Sequence, residues 1–130
     1  PMRAIVICNT CKHADGRKLD EQGRSAGSIL IGEMQTLLKE KGREDVAVQT
    51  QACLWNCTRP CSVVIRDDAR FSYVTGGNAP TREQAEAILA WFDLHGASET
   101  GEVPFRQWPD DMRGHFIARM PPLKPESDAP

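Results

Sequence analysis

The sequence has no apolar run approaching the ~20 residues that a bilayer-spanning helix needs, so no such span is expected. It also lacks any block of like charge: sixteen basic residues stand against eighteen acidic ones, for a net charge of −2. A composition so balanced does not indicate a nucleic-acid binder or a protein that docks on anionic membranes. The opening PMRAIVICNTC offers neither a charged n-region nor an apolar stretch long enough for export, and Pro1 ahead of Met2 reads as an extraneous residue. Cysteine is missing from residues 12–52 and from everything after Cys61. The five present are too sparse for a disulfide scaffold and odd in number, so a reducing, cytoplasmic setting is expected. At 130 residues the chain reads as one soluble domain whose core needs no metal merely to fold.

What is present is two tight cysteine groups, Cys8 and Cys11 in VICNTCKH and Cys53, Cys57 and Cys61 in ACLWNCTRPC. Thiolates are soft ligands that select zinc, copper(I) or iron-sulfur clusters, and two groups joined by a fold supply the four ligands of such a centre. The spacings differ, CxxC against CxxxCxxxC. A structural zinc site favours two short knuckles, whereas unequal turns are as comfortable around a two-iron cluster. Lys12 and His13 lie beside Cys11, and Arg59 lies between Cys57 and Cys61, where positive charge would favour thiolate. His13 is a less favoured ligand because five cysteines already exceed four places. Trp55 reads either as a shield over the loop or as core. His95, at a helix end, reads as a partner for the helix C-terminus, and His115 is remote in sequence from every cysteine.

The pattern along the chain gives an α/β order. Residues 3–8, RAIVIC, form a short buried strand that ends on the first cysteine. A polar stretch with an Asp15-Gly16 turn follows, then a helix from about Glu21 with Leu30, Met34, Leu37 and Leu38 on one face, stopped by Gly42. VAVQTQ, residues 46–51, alternates as a second strand and leads into Cys53. SVVIR and RFSYVT, residues 62–66 and 70–75, make a hairpin; Thr81 with Gln84 signals a capped second helix whose apolar face is Ala85, Ile88, Leu89 and Phe92. A parallel βαβ unit followed by an antiparallel hairpin is the thioredoxin-like arrangement, a mixed four-stranded sheet with two main helices. Residues 3–96 form that domain. Residues 97–120 are a C-terminal extension packed on it, as a short helix across the sheet or as a docking surface, and the proline-rich 121–130 read as a disordered tail. In this topology both cysteine groups fall at strand ends on one edge of the sheet.

The first cysteine pair after strand one, with CLWNCTRPCSVVI and a Tyr-bearing strand behind it, resembles the thioredoxin-like [2Fe-2S] ferredoxins and the related small subunit of respiratory NADH dehydrogenases. The resemblance implies a two-iron cluster on four cysteines, here Cys8, Cys11, Cys53 and Cys57. Cys8 and Cys11 are more closely spaced than that family's first pair, and Cys61 replaces a small or apolar residue. The whole chain, including FSYVTG and EVPFRQWPDDMRGHFIARMPP, looks like a bacterial family described as predicted metal-binding proteins, some members of which are linked to cobalamin-synthesis genes.

Three functions are expected from these residues. The leading one is a one-electron carrier with a [2Fe-2S] cluster on Cys8, Cys11, Cys53 and Cys57, serving a redox partner protein. The second is a zinc- or cobalt-holding protein in metal trafficking or cobalamin-related metabolism, with Cys61 as an additional thiolate and a metal-handling protein as partner. The third is a thiol oxidoreductase using Cys8 and Cys11, although a redox CxxC normally opens a helix and NTCKHADGRK reads as a loop. The first two make the chain a carrier or binder rather than an enzyme, and a homodimer is left open. Pro60 opposes a helix through Cys61, so Cys61 is expected to begin strand three as a buried thiol, not a ligand.

Overall fold

The computed structural model describes residues 2–55 and 58–123. The elements run β1 (Arg3–Cys8), α1 (Ala26–Glu40), β2 (Ala47–Gln51), β3 (Val63–Asp67), β4 (Ser72–Thr75), α2 (Arg82–Ala97), two short 3-10 turns (Phe105–Gln107 and Asp110–Met112) and β5 (Phe116–Met120). They make one mixed sheet in the order β2-β1-β3-β4-β5. Strand β1 is parallel to β2 and antiparallel to β3, and β4 and β5 continue antiparallel.

The sheet has five strands where the sequence pattern gives four. The extension expected as a short helix instead supplies β5, pairing Ser72 with Met120 and Val74 with Ala118, with an irregularity between Val74 and Thr75. The physical reason lies in its prolines and in β4. Pro104 and Pro109 each precede a single 3-10 turn, and proline within a longer helix would remove a backbone donor. Without β5 the outer backbone groups of β4 would be an open edge. Residues 121–123 have no regular structure; the expected disordered tail otherwise falls on residues outside those described.

Alternation along β1 aims Ile5 and Ile7 into the core with Val63, Ile65 and Tyr73 of β3 and β4, and all are buried. Leu30, Met34, Leu37 and Leu38 of α1 and Ala85, Ile88, Leu89 and Phe92 of α2 complete it, as their spacing predicts. Helix α1 begins at Ala26, not near Glu21. Asp20 Oδ1 accepts the backbone N–H groups of Gln22 and Arg24, both at 2.9 Å, which commits that stretch to a tight turn before Ser25 caps the helix. Thr81 Oγ1 caps α2 through Gln84 N–H at 3.1 Å. The Gln84 side chain does not return the bond. Its Nε2 donates to Asp111 O at 3.0 Å, and so ties α2 to the extension, whose Met112 is fully buried.

A polar network closes the opposite end of β1 from its cysteine. The Asp67 carboxylate, fully buried, receives Arg3 Nε at 3.1 Å, Arg70 Nη1 at 3.2 Å and the Ala69 N–H at 2.8 Å. Burial alone would raise its pKa, but these donors hold it below the ordinary value. His95 is also fully buried and sits between Phe71 O at 2.7 Å and Arg3 Nη2 at 2.8 Å. A carbonyl can only accept and a guanidinium only donate, so Nε2 carries the proton and Nδ1 accepts. The imidazole is therefore neutral and is no cationic partner for the end of α2. Burial, with Arg3 beside it, lowers its pKa below the ordinary 6.5.

The sign of the linkage follows. The unfolded chain takes a proton on this histidine near pH 6.5 and the folded chain resists it, so this contribution is complete above that pH and is lost as pH falls below it. The denaturation midpoint should drop between about pH 7 and pH 5, and His95→Gln should flatten that slope. An unchanged slope in the variant, measured by urea unfolding at several pH values, would remove His95 from the account.

Candidate thiol site at the strand ends

Parallel pairing of β1 with β2 puts Cys8 opposite Gln51, so the loops that carry the two cysteine groups leave the same end of the sheet. Cys8 N–H donates to Ser62 O at 3.1 Å and Asn9 N–H to Gln51 O at 2.9 Å, which carries the ladder one step past the strand. Thr10 Oγ1 donates to Ala52 O and joins the first loop to the second. Helix α1 closes on the loop from the other side: Ser25 Oγ donates to Asn9 O at 2.6 Å and Gly27 N–H to Cys11 O at 3.3 Å. This approach requires glycine. A Cβ on Gly27 would stand 1.9 Å from the Cys8 carbonyl oxygen.

Within this frame Cys8, Cys11 and Cys61 are buried and Cys53 is exposed. Cys11 Sγ accepts the Ser62 N–H at 3.1 Å. The Cys61 thiol also approaches Cys8 O at 3.9 Å. Strand β3 starts at Val63, two residues after Cys61, whose backbone is fixed by Asn78: Cys61 O accepts both the Asn78 N–H at 3.2 Å and its Nδ2 at 2.9 Å. Cys53 Sγ accepts the Trp55 N–H at 3.3 Å across a turn in which Trp55 takes φ 59°, a left-handed value uncommon for a bulky residue.

These contacts split the thiols electrostatically. Hydrogen bonding from Cys61, with further donors in the Ser62 N–H and Cys8, outweighs burial and lowers the Cys11 pKa from 9.0 to about 6. The same bond, then burial, pushes Cys61 up, and burial ahead of its bond to Cys11 pushes Cys8 up. Of the three, Cys11 is thus the thiol whose ionisation its surroundings favour.

Beside the trio lies a cleft of about 750 Å³ lined by Cys8, Cys11 and Cys53 together with Thr10, Lys12, Lys18, Leu19 and Trp55. Cys61 does not line it. Of the residues singled out in the sequence, Cys57 lies outside those described. His13 has Nε2 against Arg24 O at 3.0 Å, and Arg59 donates to Gly114 O at 2.8 Å. His115 pairs with Gly76 O at 2.9 Å. Trp55, 92 % exposed, is neither core nor a lid. Sequence reasoning missed Ser62, Thr10 and Gly27: nothing in their type marks them until the fold brings them to the sulfurs. Among the described residues, no group of three His, Cys, Asp or Glu has the arrangement of a metal site.

The family model described as "Protein of unknown function (DUF1636)" matches residues 5–122. No curated protein and no solved structure matches the chain.

Two outcomes are expected from this geometry. Gly27→Ala should destabilise the fold by about 1–3 kcal/mol or more through overpacking on Cys8 O, while Gly32→Ala, in the same helix with open space around it, should stabilise by about 0.5–1 kcal/mol; equal effects in thermal unfolding would contradict the contact. In reduced, metal-free Cys53→Ser/Cys57→Ser protein, alkylation should select Cys11 with a midpoint near the pH of about 6 assigned to it. A midpoint near 9.0, the ordinary thiol value, would refute this assignment.

Proposed function

The chain belongs to the DUF1636 family, and we propose for it the function of a one-electron carrier built on a [2Fe-2S] cluster. The observation that carries the reading is that Cys8, Cys11 and Cys53, from two separate loops, line one cleft at one end of the sheet. Two of those sulfurs, on Cys11 and Cys53, already receive backbone N–H bonds, the kind of contact that sets the potential of a thiolate-bound cluster. The proposal extends to the fold. The order and directions of β2, β1, β3 and β4 support a thioredoxin-like reading, with β5 as an added strand.

Thiolates suit a soft centre by type, and since no three of the described residues are arranged as a metal site, the reading turns on the loop that carries Cys53 and Cys57. Cys8, Cys11 and Cys53 would hold the cluster, with Cys57, outside the described residues, as the fourth thiolate. When bound, it would store and release one electron. The chain's own residues do the rest: Ser62 and Trp55 orient sulfurs through their N–H groups, burial around Cys8 and Cys11 limits water, and exposed Trp55 and Leu19 border the cleft where a redox partner protein would dock. Such a carrier would work in the cytoplasm, in cofactor or metal metabolism.

One observation favours a second reading, a single zinc or cobalt ion held for metal trafficking: the Cys61 thiol lies 3.9 Å from Cys8 O and its neighbour Ser62 bonds Cys11 Sγ, which brings a further soft donor near the first cysteine pair. Anaerobic reconstitution with iron and sulfide should give visible sulfur-to-iron absorption and a reducible paramagnetic cluster. Cys53→Ser should abolish or shift both, and Cys61→Ser should retain them. Colourless protein with stoichiometric zinc, lost in Cys61→Ser, would overturn the electron-carrier reading in favour of the second.

A further inference from the structure

The cleft at the strand ends is bordered by more than sulfur. Lys12 and Lys18 line it, and among the described residues no carboxylate does. Asp15 and Asp20 of the same loop are engaged elsewhere, Asp15 with Arg17 at 2.7 Å and Asp20 with Arg24 at 3.2 Å, and neither lysine enters an ion pair among the described residues. Leu19 and Trp55 line the same cleft and are both exposed. The Trp55 indole adds little burial to the fold, yet its backbone keeps a φ of 59° that bulky residues avoid, and such outliers gather at functional sites. An exposed aromatic anchor with polar groups at its edge is the anatomy of a protein contact. We propose that this rim docks an acidic protein surface, one that offers carboxylates to Lys12 and Lys18 and an apolar recess to Trp55.

That this partner exchanges an electron with the chain rests on the electron-carrier reading. Its acidic and apolar character does not, because every group invoked is a side chain of the chain itself. Docking here covers Cys53, the exposed thiol that lines the same cleft. Exposed ion pairs add little to affinity and more to the rate of encounter, so the contact is transient and salt-sensitive, as a carrier that must release its partner requires.

Charge selects a protein over the other polyanions. Two lysines neutralise too few phosphates to grip nucleic acid, whose affinity grows with each phosphate contacted. An anionic bilayer is held by clusters of roughly four to eight basic residues, and this rim has fewer. The whole chain carries a net charge of −2, which opposes both surfaces beyond the immediate contact. A protein partner needs only carboxylates placed for Lys12 and Lys18, with an apolar recess beside them. The basic rim on a mildly acidic chain also orients the encounter, since only this face attracts the acidic surface.

The test titrates full-length, reduced, metal-free protein into a dye-labelled peptide of alternating glutamate and leucine, read by fluorescence anisotropy. Three further probes run beside it: the same peptide with lysine in place of glutamate, a duplex DNA, and vesicles of phosphatidylserine with phosphatidylcholine. The glutamate peptide should bind, with an affinity that falls as salt is raised. Lys12→Glu combined with Lys18→Glu should weaken it about tenfold and strengthen binding of the lysine peptide. Trp55→Ala should weaken the glutamate peptide at every salt concentration while leaving the salt slope unchanged. None of these three side chains is buried, so the variants keep the fold. Absence of binding to the glutamate peptide, binding that survives the charge reversal, or stronger binding to DNA or to vesicles would overturn the proposal. None of these results bears on whether the thiols hold a cluster, which reconstitution with iron and sulfide decides separately.

Discussion

The loop that follows β1 is held from three directions at once, and the candidate site depends on that clamp. Ser62 of the segment entering β3 takes the Cys8 N–H and gives its own N–H to Cys11 Sγ. Ala52, beyond β2, accepts the Thr10 hydroxyl, and the first turn of α1 bonds to the carbonyls of Asn9 and Cys11. Each donor or acceptor comes from a different element. A shift in any one would unpair buried backbone groups, which costs on the order of 1–3 kcal/mol apiece. The positions of Cys8 and Cys11 are therefore set by the packing of the domain and not by the loop's own preferences.

Much of this frame was legible in the sequence, and the misses have physical causes. Period-two burial in RAIVIC and the spacing of Leu30, Met34, Leu37 and Leu38 encode a core face directly, because burial of apolar side chains decides them. The start of α1 was misplaced because Asp20 offers its carboxylate to two backbone N–H groups, a local competition that helical periodicity does not register. Strand β5 was missed because a strand's partner is a free edge elsewhere, and Phe116–Met120 has no buried face to announce it. Of the site, the two cysteine groups and their common end of the sheet could be read from spacing and order. The side to which Cys61 turns could not, since the phase of the following strand is fixed only by tertiary pairing.

Polarity inside the domain is spent sparingly and in pairs. Asp67 collects two guanidinium groups and backbone donors, and His95 remains uncharged between a donor and an acceptor, so neither leaves an uncompensated charge in the core. The Cys11 sulfur follows the same rule with a weaker partner, the Ser62 N–H at 3.1 Å.

Strand β1 joins these two regions like a beam, with Arg3 in the polar network at one end and Cys8 at the other. Six residues of strand separate them by roughly 17 Å. Perturbations farther apart than about 10 Å and sharing no partner usually add independently. Changes at the cysteine end and at the Arg3 end should therefore add in their effect on stability. One strand thus carries two polar clusters that are energetically independent, each held by its own set of contacts.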